Sequence, residues 1–194
     1  MEDPLDLEKI ESSAFRAYFE DGMLDIFFGL MFIVGSIRTI MDDPRYSVLI
    51  IVAILVPNIG KRFITVPRLG HVKFGQRRVK GQLHMMIVIV MAVVISAAIV
   101  ALTQTTDLFE GRLLGDLVFA VMVIVVTGVM GHYLEYPRLV VPGIIFAAIM
   151  LISGQYGNDA GAIAYLVGGC ISISIGLFTL ALFLKKYPLL PMGG

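Results

Sequence analysis

Four long stretches of the chain carry no charged residue, and their length constrains the fold more than any other feature. Residues 85–102, 117–134, 139–158 and 160–184 contain no Asp, Glu, Lys or Arg. A bilayer core about 30 Å thick requires roughly 20 mainly apolar residues to cross it as a helix. Because 58% of all residues are hydrophobic and only 15% are charged, the sequence predicts an integral membrane protein rather than a water-soluble domain.

Two shorter hydrophobic segments, residues 26–37 and 46–60, precede these stretches. Segments of about this length can be re-entrant or interfacial. Both reach spanning length if Asp25, Arg38 and Lys61 lie at the interfaces, with the long basic side chains snorkelling outward. We therefore predict an all-α, polytopic membrane helix bundle in a single membrane domain. Its six spans are expected at about residues 22–41, 45–61, 83–103, 113–134, 138–156 and 160–184.

The segment between the second and third spans, residues 61–82, is strongly basic. By the positive-inside rule this loop is predicted to be cytoplasmic. Counting spans from the loop places both the N-terminus and the C-terminus in the cytoplasm, and Lys185 and Lys186 near the C-terminus agree with that orientation. The cations of the loop are also candidates for binding anionic lipid headgroups or a partner protein: Lys61, Arg62, Arg68, Lys73, Arg77, Arg78 and Lys80.

The N-terminal segment shows no apolar run typical of a cleavable signal peptide. Residues 5–20 instead place apolar side chains at near-helical spacing, with charges elsewhere. This pattern predicts a short amphipathic helix at the cytoplasmic interface. It would either anchor the first span or cover a cytoplasmic opening.

A weak internal repeat relates the two halves of the chain. In each half Phe-Glu precedes a hydrophobic helix, an Asp lies near the start of that helix, and Pro-Arg precedes the next one. With three spans in each half, a true repeat would be a 3+3 inverted repeat, an arrangement that many transporters use to form a midplane site. The alternative is that six hydrophobic helices resemble one another through composition alone.

Three acids near the starts of spans are candidate transport or ion-binding residues. Asp21 and Asp25 are one helical turn apart, and acids within a membrane segment are costly and usually functional. Capping of the helix explains Asp21 well, whereas Asp25 is either a partner of the basic loop or a site residue. Asp116 follows Arg112 by four residues, so a surface ion pair is the structural alternative for it. Arg38, near the outer end of the first span, is expected to snorkel.

The histidines allow one weak metal-site hypothesis. His84 and His132 fall on the predicted cytoplasmic side, and Glu135 follows His132 by three residues. Two His and one Glu could bind a metal ion if their loops converge. Nucleophile-elbow, phosphate-loop, dinucleotide-binding and HExxH motifs are all absent from the sequence, and Cys170 is its single cysteine. These absences favour a non-enzymatic protein, and no cofactor is predicted.

Small residues recur at helical spacing on two spans. Ala160, Ala164, Gly168, Ser172 and Gly176 are four apart on the last span, and Gly22, Gly29 and Ser36 are seven apart on the first. Small faces let membrane helices approach closely. They predict internal helix contacts, with a homo-oligomer or another membrane protein as the alternative partner.

Two sequence patterns in the first third of the chain resemble those of a group of membrane proteins. Residues 21–30 read D-G-x-x-D-I-x-x-G-L and residues 67–74 read P-R-x-G-x-V-K-F. Over roughly its first third, the chain resembles small polytopic membrane proteins of bacteria and archaea that carry both patterns. The resemblance implies a membrane location and an ordered element at residues 67–74, and it implies no particular activity.

The sequence suggests three candidate functions. The first is a small transporter or channel-like protein, based on the acids and the suspected inverted halves. The second is a non-enzymatic accessory or scaffold protein that binds lipid or a partner through the basic loop. The third, a membrane enzyme with a metal at its cytoplasmic face, rests on the histidines alone. Membrane lipid is the expected partner in each case, and nucleic acid is not.

Overall fold

The fold is given by a computed structural model that describes residues 16–69, 83–92, 94–95, 98 and 112–188. Every regular element in this part of the chain is helical. The helices are α1 (Met23–Met41), α2 (Pro44–Leu69), α3 (Leu83–Ala92), α4 (Arg112–Tyr133), α5 (Val140–Tyr156) and α6 (Asn158–Lys186). The predicted all-α membrane bundle is confirmed.

Within the described residues, five helices are long and apolar enough to cross a membrane: Arg16–Met41, Pro44–Leu69, Gly115–Tyr133, Pro137–Tyr156 and Asn158–Lys186. The two short hydrophobic segments belong to helices of 26 residues each, because both helices continue past the charged residues that limit the uncharged runs. Three predicted parts of the chain lie largely or wholly outside the described residues: the third span beyond α3, the helix at residues 5–20, and residues 70–82 of the basic loop.

Large apolar side chains cover the outside of the bundle. Val125 on α4 is 56% exposed and Phe178 on α6 is 67% exposed. Because water would disfavour so much contiguous apolar surface, these faces are those expected to contact lipid acyl chains. The chain is therefore a membrane-spanning helical protein.

Helices α1 and α6 pack antiparallel through small residues over four turns. Gly22 faces Gly176, Gly29 faces Gly169, and the hydroxyl of Ser36 donates a 2.8 Å hydrogen bond to the carbonyl oxygen of Ala162. The heptad spacing of Gly22, Gly29 and Ser36 therefore meets a matching heptad on α6. Close backbone approach of this kind is how small residues stabilise membrane helix pairs.

The predicted four-residue ridge on α6 is shared between two neighbours. Gly176 contacts α1, whereas a Cβ on Gly168 would meet Ile145 and Ile149 of α5 at 2.7 and 2.9 Å. Ser172 between them is buried. Helix α6 therefore lies between α1 and α5, and its smallest residues face both.

Two connections in the chain share some backbone features. After α1, Asp42 has a φ of 48° and Asp43 is extended before Pro44 begins a 3-10 turn. After α4, Glu135 has a φ of 52°, and Pro137 begins a shorter 3-10 turn two residues later. In each case a left-handed residue ends one helix and proline starts the next. These connections are the Pro-Arg segments that suggested the internal repeat.

Candidate functional site

Asp21 is fully buried at the point where the chain enters α1. Its carboxylate accepts a 3.0 Å hydrogen bond from the backbone N–H of Met23 and a 2.8 Å hydrogen bond from the hydroxyl of Thr65. The amine of Lys61 lies 3.5 Å from the same carboxylate. Gly22 has a φ of 75°, and this left-handed turn, which glycine adopts without strain, directs the carboxylate toward α2.

The partners of Asp21 lie on an irregular turn of α2. Residues Lys61–Thr65 form a π-helical turn just after Pro57, where proline has removed a helical donor. A wider turn brings residues four apart closer to one face, so Lys61 and Thr65 both reach Asp21. π-Helical turns of this kind occur often at functional positions.

Lys61 has further contacts that hold its amine in place. It donates a 2.9 Å hydrogen bond to the carbonyl oxygen of Tyr18, and it lies 4.1 Å from the ring centroid of Tyr18 and 4.6 Å from that of Phe19. Aromatic faces stabilise a cation that has lost its water. Lys61 therefore links α2 to the residues that precede α1.

Asp25 is also buried, one turn further along α1, and its partner lies far away in the sequence. The hydroxyl of Tyr136 donates a 2.6 Å hydrogen bond to its carboxylate. Burial, together with this hydrogen bond, raises the pKa of the Tyr136 hydroxyl, so Tyr136 keeps its proton and remains a donor at neutral pH. Arg138 supplies a nearby positive charge. Asp25 thus joins α1 to the connection between α4 and α5.

These two carboxylates anchor three elements at one end of the bundle. An ionised group at membrane depth is tolerated when it is paired and hydrogen-bonded inside the protein. Asp21 is paired with Lys61 and accepts a hydrogen bond from Thr65, and Asp25 accepts a hydrogen bond from Tyr136. Around them, Leu134, Tyr136 and Leu139 form a buried cluster, against which Phe28 and Met130 pack together with Phe19, Leu24 and Met85. We call this region, with Lys61 and Lys186, the basic end.

Asp116 lies elsewhere and has a different environment. It is half-buried on α4, with its carboxylate against Gly154 of α5, where an added Cβ would meet the Asp116 oxygens. The side chain of Arg112 lies outside the described residues, so the expected ion pair between them stays a prediction. Asp116 is therefore separate from the two acids of α1.

The predicted lipid-binding cations have separate surroundings. Lys61 is engaged with Asp21, Arg62 is exposed, and one guanidinium nitrogen of Arg68 donates a 3.0 Å hydrogen bond to the carbonyl oxygen of Ile64. Lys73, Arg77, Arg78 and Lys80 lie outside the described residues. The described part of the basic loop is thus helical and continues α2.

The described part of the chain contains no metal centre of the kind suggested by the histidines. Over those residues, which include His84, His132 and Glu135, no group of three His, Cys, Asp or Glu side chains could hold a metal ion. The ring of His132 instead packs edge-on against Tyr133, with 5.9 Å between the ring centroids.

A cavity of about 440 Å³ lies between the spans, on the other side of the Tyr136 cluster from the acids. Aromatic rings make up much of its wall, and Phe32 and Phe146 are stacked with 5.9 Å between centroids. Phe28 and Met130 line the cavity and also pack against the cluster that contains Tyr136. The remaining lining comes from α1, α2, α4, α5 and α6: Phe27, Met31, Val34, Gly35, Arg38, Ser47, Ile50, Val123, Val126, Thr127, Pro142, Gly143 and Tyr165.

The charged group of the cavity lies at the end away from the acids. Arg38 is the charged residue of its lining, and its guanidinium interacts electrostatically with Tyr165 on α6. Arg38 is 13 residues beyond Asp25, which corresponds to about 20 Å along the helix. Asp21, Asp25 and Asp116 are not among the lining residues. The cavity is therefore apolar along its length and cationic at one end.

Sequence reasoning selected both buried acids and missed their partners. Thr65 and Tyr136 are 44 and 111 residues away from the acids they contact, and no local pattern connects such positions. A weak signal was present for Tyr136, since it occupies the Pro-Arg connection noted as a possible repeat. Arg38 was expected to be a snorkelling residue, and its place in the cavity depends on how α1 and α6 pack.

Comparisons of the chain with protein-family models, with curated proteins and with solved structures give no match. The site is therefore interpreted from its own geometry.

Proposed function

We propose that the protein is a small transporter-like membrane protein whose cargo is an amphipathic anion with a single apolar chain. The observation that carries the proposal is the cavity between the spans, with its aromatic walls and, among the described residues that line it, the one cation Arg38. Its volume lies within the range of about 300–1,000 Å³ that is usual for small-molecule sites. Aromatic walls favour an apolar chain, and a guanidinium favours a carboxylate or phosphate.

The same geometry disfavours a small inorganic cation as cargo. Cation paths require carboxylates or carbonyl oxygens that replace the hydration shell, and the three candidate acids lie away from this cavity. Asp21 and Asp25 instead have protein partners at the basic end. We therefore assign these two acids a positioning role, which is to hold α1, α2 and the connection between α4 and α5 together.

The proposal includes an orientation in the cell membrane. The basic end carries Lys61, Arg138, Lys185 and Lys186, and the positive-inside rule places it in the cytoplasm. Both chain termini would then be cytoplasmic. The end of the cavity with Arg38 would face the outer leaflet, where a lipid-like anion could insert its chain and keep its headgroup at Arg38.

The features shared by the two connections support the inverted repeat as part of this proposal. A left-handed residue and a Pro-Arg turn recur between the first and second spans and between the fourth and fifth. In a six-span topology these connections lie on opposite sides of the membrane. Inverted halves of this kind allow a central site to open to either side.

The experiment is movement of a single-chain anionic lipid across proteoliposomes. Lysophosphatidylglycerol with a fluorescent label on its chain is quenched from outside with dithionite, so transfer between leaflets appears as extra loss of signal. Val126→Phe fills the cavity, whereas Val125→Phe adds the same ring to the lipid-facing surface of the same helix. We expect transfer to fall to the level of empty liposomes in Val126→Phe and to stay at the wild-type level in Val125→Phe. Equal transfer in both variants would overturn the proposal.

A non-enzymatic accessory protein is the second candidate, and the continuous small-residue contact between α1 and α6 favours it. A pair of helices in contact over four turns forms a rigid unit that is suited to present a surface to a partner. This candidate predicts lipid binding in the cavity without transfer between leaflets. The proteoliposome assay, combined with a binding measurement on the same variants, therefore separates the two functions.

A further inference from the structure

A second, smaller recess lies at the basic end, apart from the apolar cavity. It has a volume of about 160 Å³, and its lining includes Glu20 before α1, Arg138 after α4, and Thr179, Lys186 and Tyr187 at the end of α6. Thr179 and Tyr165 are 14 residues apart on α6, so this recess is about 20 Å from the cationic end of the apolar cavity.

Two cations from different parts of the chain meet at this recess. Arg138 donates a 3.4 Å hydrogen bond to the hydroxyl oxygen of Thr179, and that hydroxyl donates its own proton to the carbonyl oxygen of Ile175 at 2.9 Å. Thr179 can therefore only accept from Arg138, which fixes the guanidinium at the wall. The amine of Lys186 lies 5.3 Å from the ring centroid of Tyr187, so the second cation is also placed at the recess.

The acid of the recess is already paired. Glu20 accepts a 2.7 Å hydrogen bond from the guanidinium of Arg16, and the two side chains form an ion pair. The recess therefore carries the charge of Lys186 together with that of Arg138, which Asp25 partly offsets. A planar guanidinium binds two oxygens of one phosphate, and a lysine adds a mobile point charge.

We infer that this recess binds a phosphate group, carried either by an anionic lipid headgroup or as free phosphate. Basic pockets between membrane helices at the headgroup level are suited to phosphate-bearing lipids. The site uses no residue of the apolar cavity, so it stands whether or not the cavity carries cargo. It would hold the ends of α1 and α6 and the connection after α4 around one ligand.

Titration calorimetry on the full chain in neutral detergent tests the site with two probes, dihexanoyl phosphatidylglycerol and inorganic phosphate. Loss of a charge-assisted hydrogen bond raises the dissociation constant about tenfold. We expect this increase for Lys186→Gln and for Arg138→Gln. Lys185→Gln is the matched control, because it removes the same charge from the adjacent position outside the recess, and it should leave binding unchanged. Glu20→Gln removes an acid from the wall and should tighten binding.

The probes distinguish the sources of the phosphate. Binding of the lipid alone identifies a headgroup site, and equal binding of inorganic phosphate identifies a free-anion site; either result with the Lys186 dependence supports the inference. Three results would overturn it: no binding of either probe, no effect of Lys186→Gln, or equal losses in Lys185→Gln and Lys186→Gln. Equal losses would show general attraction to a basic surface.

Discussion

Replacing Gly29 by alanine tests whether α1 and α6 touch as closely as the structure indicates. A Cβ on Gly29 would lie 2.8 Å from the backbone nitrogen of Ile173 and 2.9 Å from the carbonyl oxygen of Gly169. Both atoms belong to the backbone of α6, so they cannot turn aside as a flexible side chain could. The two helices would have to separate by several tenths of an ångström, which would also weaken the contacts on either side of Gly29.

The magnitude follows from two opposing effects. Alanine is favoured over glycine in a helix by about 1 kcal/mol, whereas forcing extra atoms into a packed contact costs about 1–3 kcal/mol. The backbone neighbours place Gly29 toward the upper end of that range, so Gly29→Ala should lower the free energy of unfolding by about 1–2 kcal/mol. Gly128→Ala is the control, because its nearest neighbour would be the Val140 side chain at 3.9 Å.

The assay is unfolding with SDS in mixed micelles. Since the chain has no tryptophan and seven tyrosines, near-ultraviolet circular dichroism of the tyrosines follows the loss of tertiary packing. Gly128→Ala should unfold at or above the wild-type midpoint and Gly29→Ala clearly below it. Equal or higher stability of Gly29→Ala would refute the close contact between α1 and α6.

Three further substitutions address the polar contacts of α1, and each is measured with the same unfolding assay. Tyr136→Phe removes the donor to the buried Asp25 carboxylate and should cost about 1–3 kcal/mol; an unchanged midpoint would contradict the contact. Lys61→Met leaves Asp21 buried without its cation and should cost about 3–5 kcal/mol, and adding Asp21→Asn should recover much of that loss. Ser36→Ala removes one interhelical hydrogen bond and should cost about 0.6 kcal/mol, so a loss several times larger would point to a different role.

The spans could be predicted from the sequence because uncharged length and bilayer thickness decide them. The irregular end of α2 could not, since no local pattern predicts the π-helical turn at Lys61–Thr65 or the hydrogen bond from Thr65 to the distant carboxylate of Asp21. The heptad of small residues on α1 was visible in the sequence. Its partners on α6 were obscured there by a competing four-residue pattern, because α6 has two neighbours.

The candidate site was predicted in part. Asp21 and Asp25 stood out because acids are rare in membrane segments, but burial and the pairing with Lys61 and Tyr136 arise only when distant helices meet. The cavity has no sequence signature at all, because apolar side chains that line a void and those that face lipid have the same composition. Val125 and Val126 are neighbours of identical chemistry, and only the rotation of α4 assigns one to lipid and the other to the cavity.

Photo-crosslinking with a single-chain anionic lipid that carries a diazirine on its chain tests the central claim most directly. After irradiation in liposomes and digestion, mass spectrometry locates the labelled residues. If the cavity holds the chain, labels should fall on inward-facing residues such as Phe32 and Phe146, and Val126→Phe should remove them. Labels confined to lipid-facing residues such as Val125 and Phe178, unchanged by Val126→Phe, would contradict the claim that an amphipathic anion occupies the cavity.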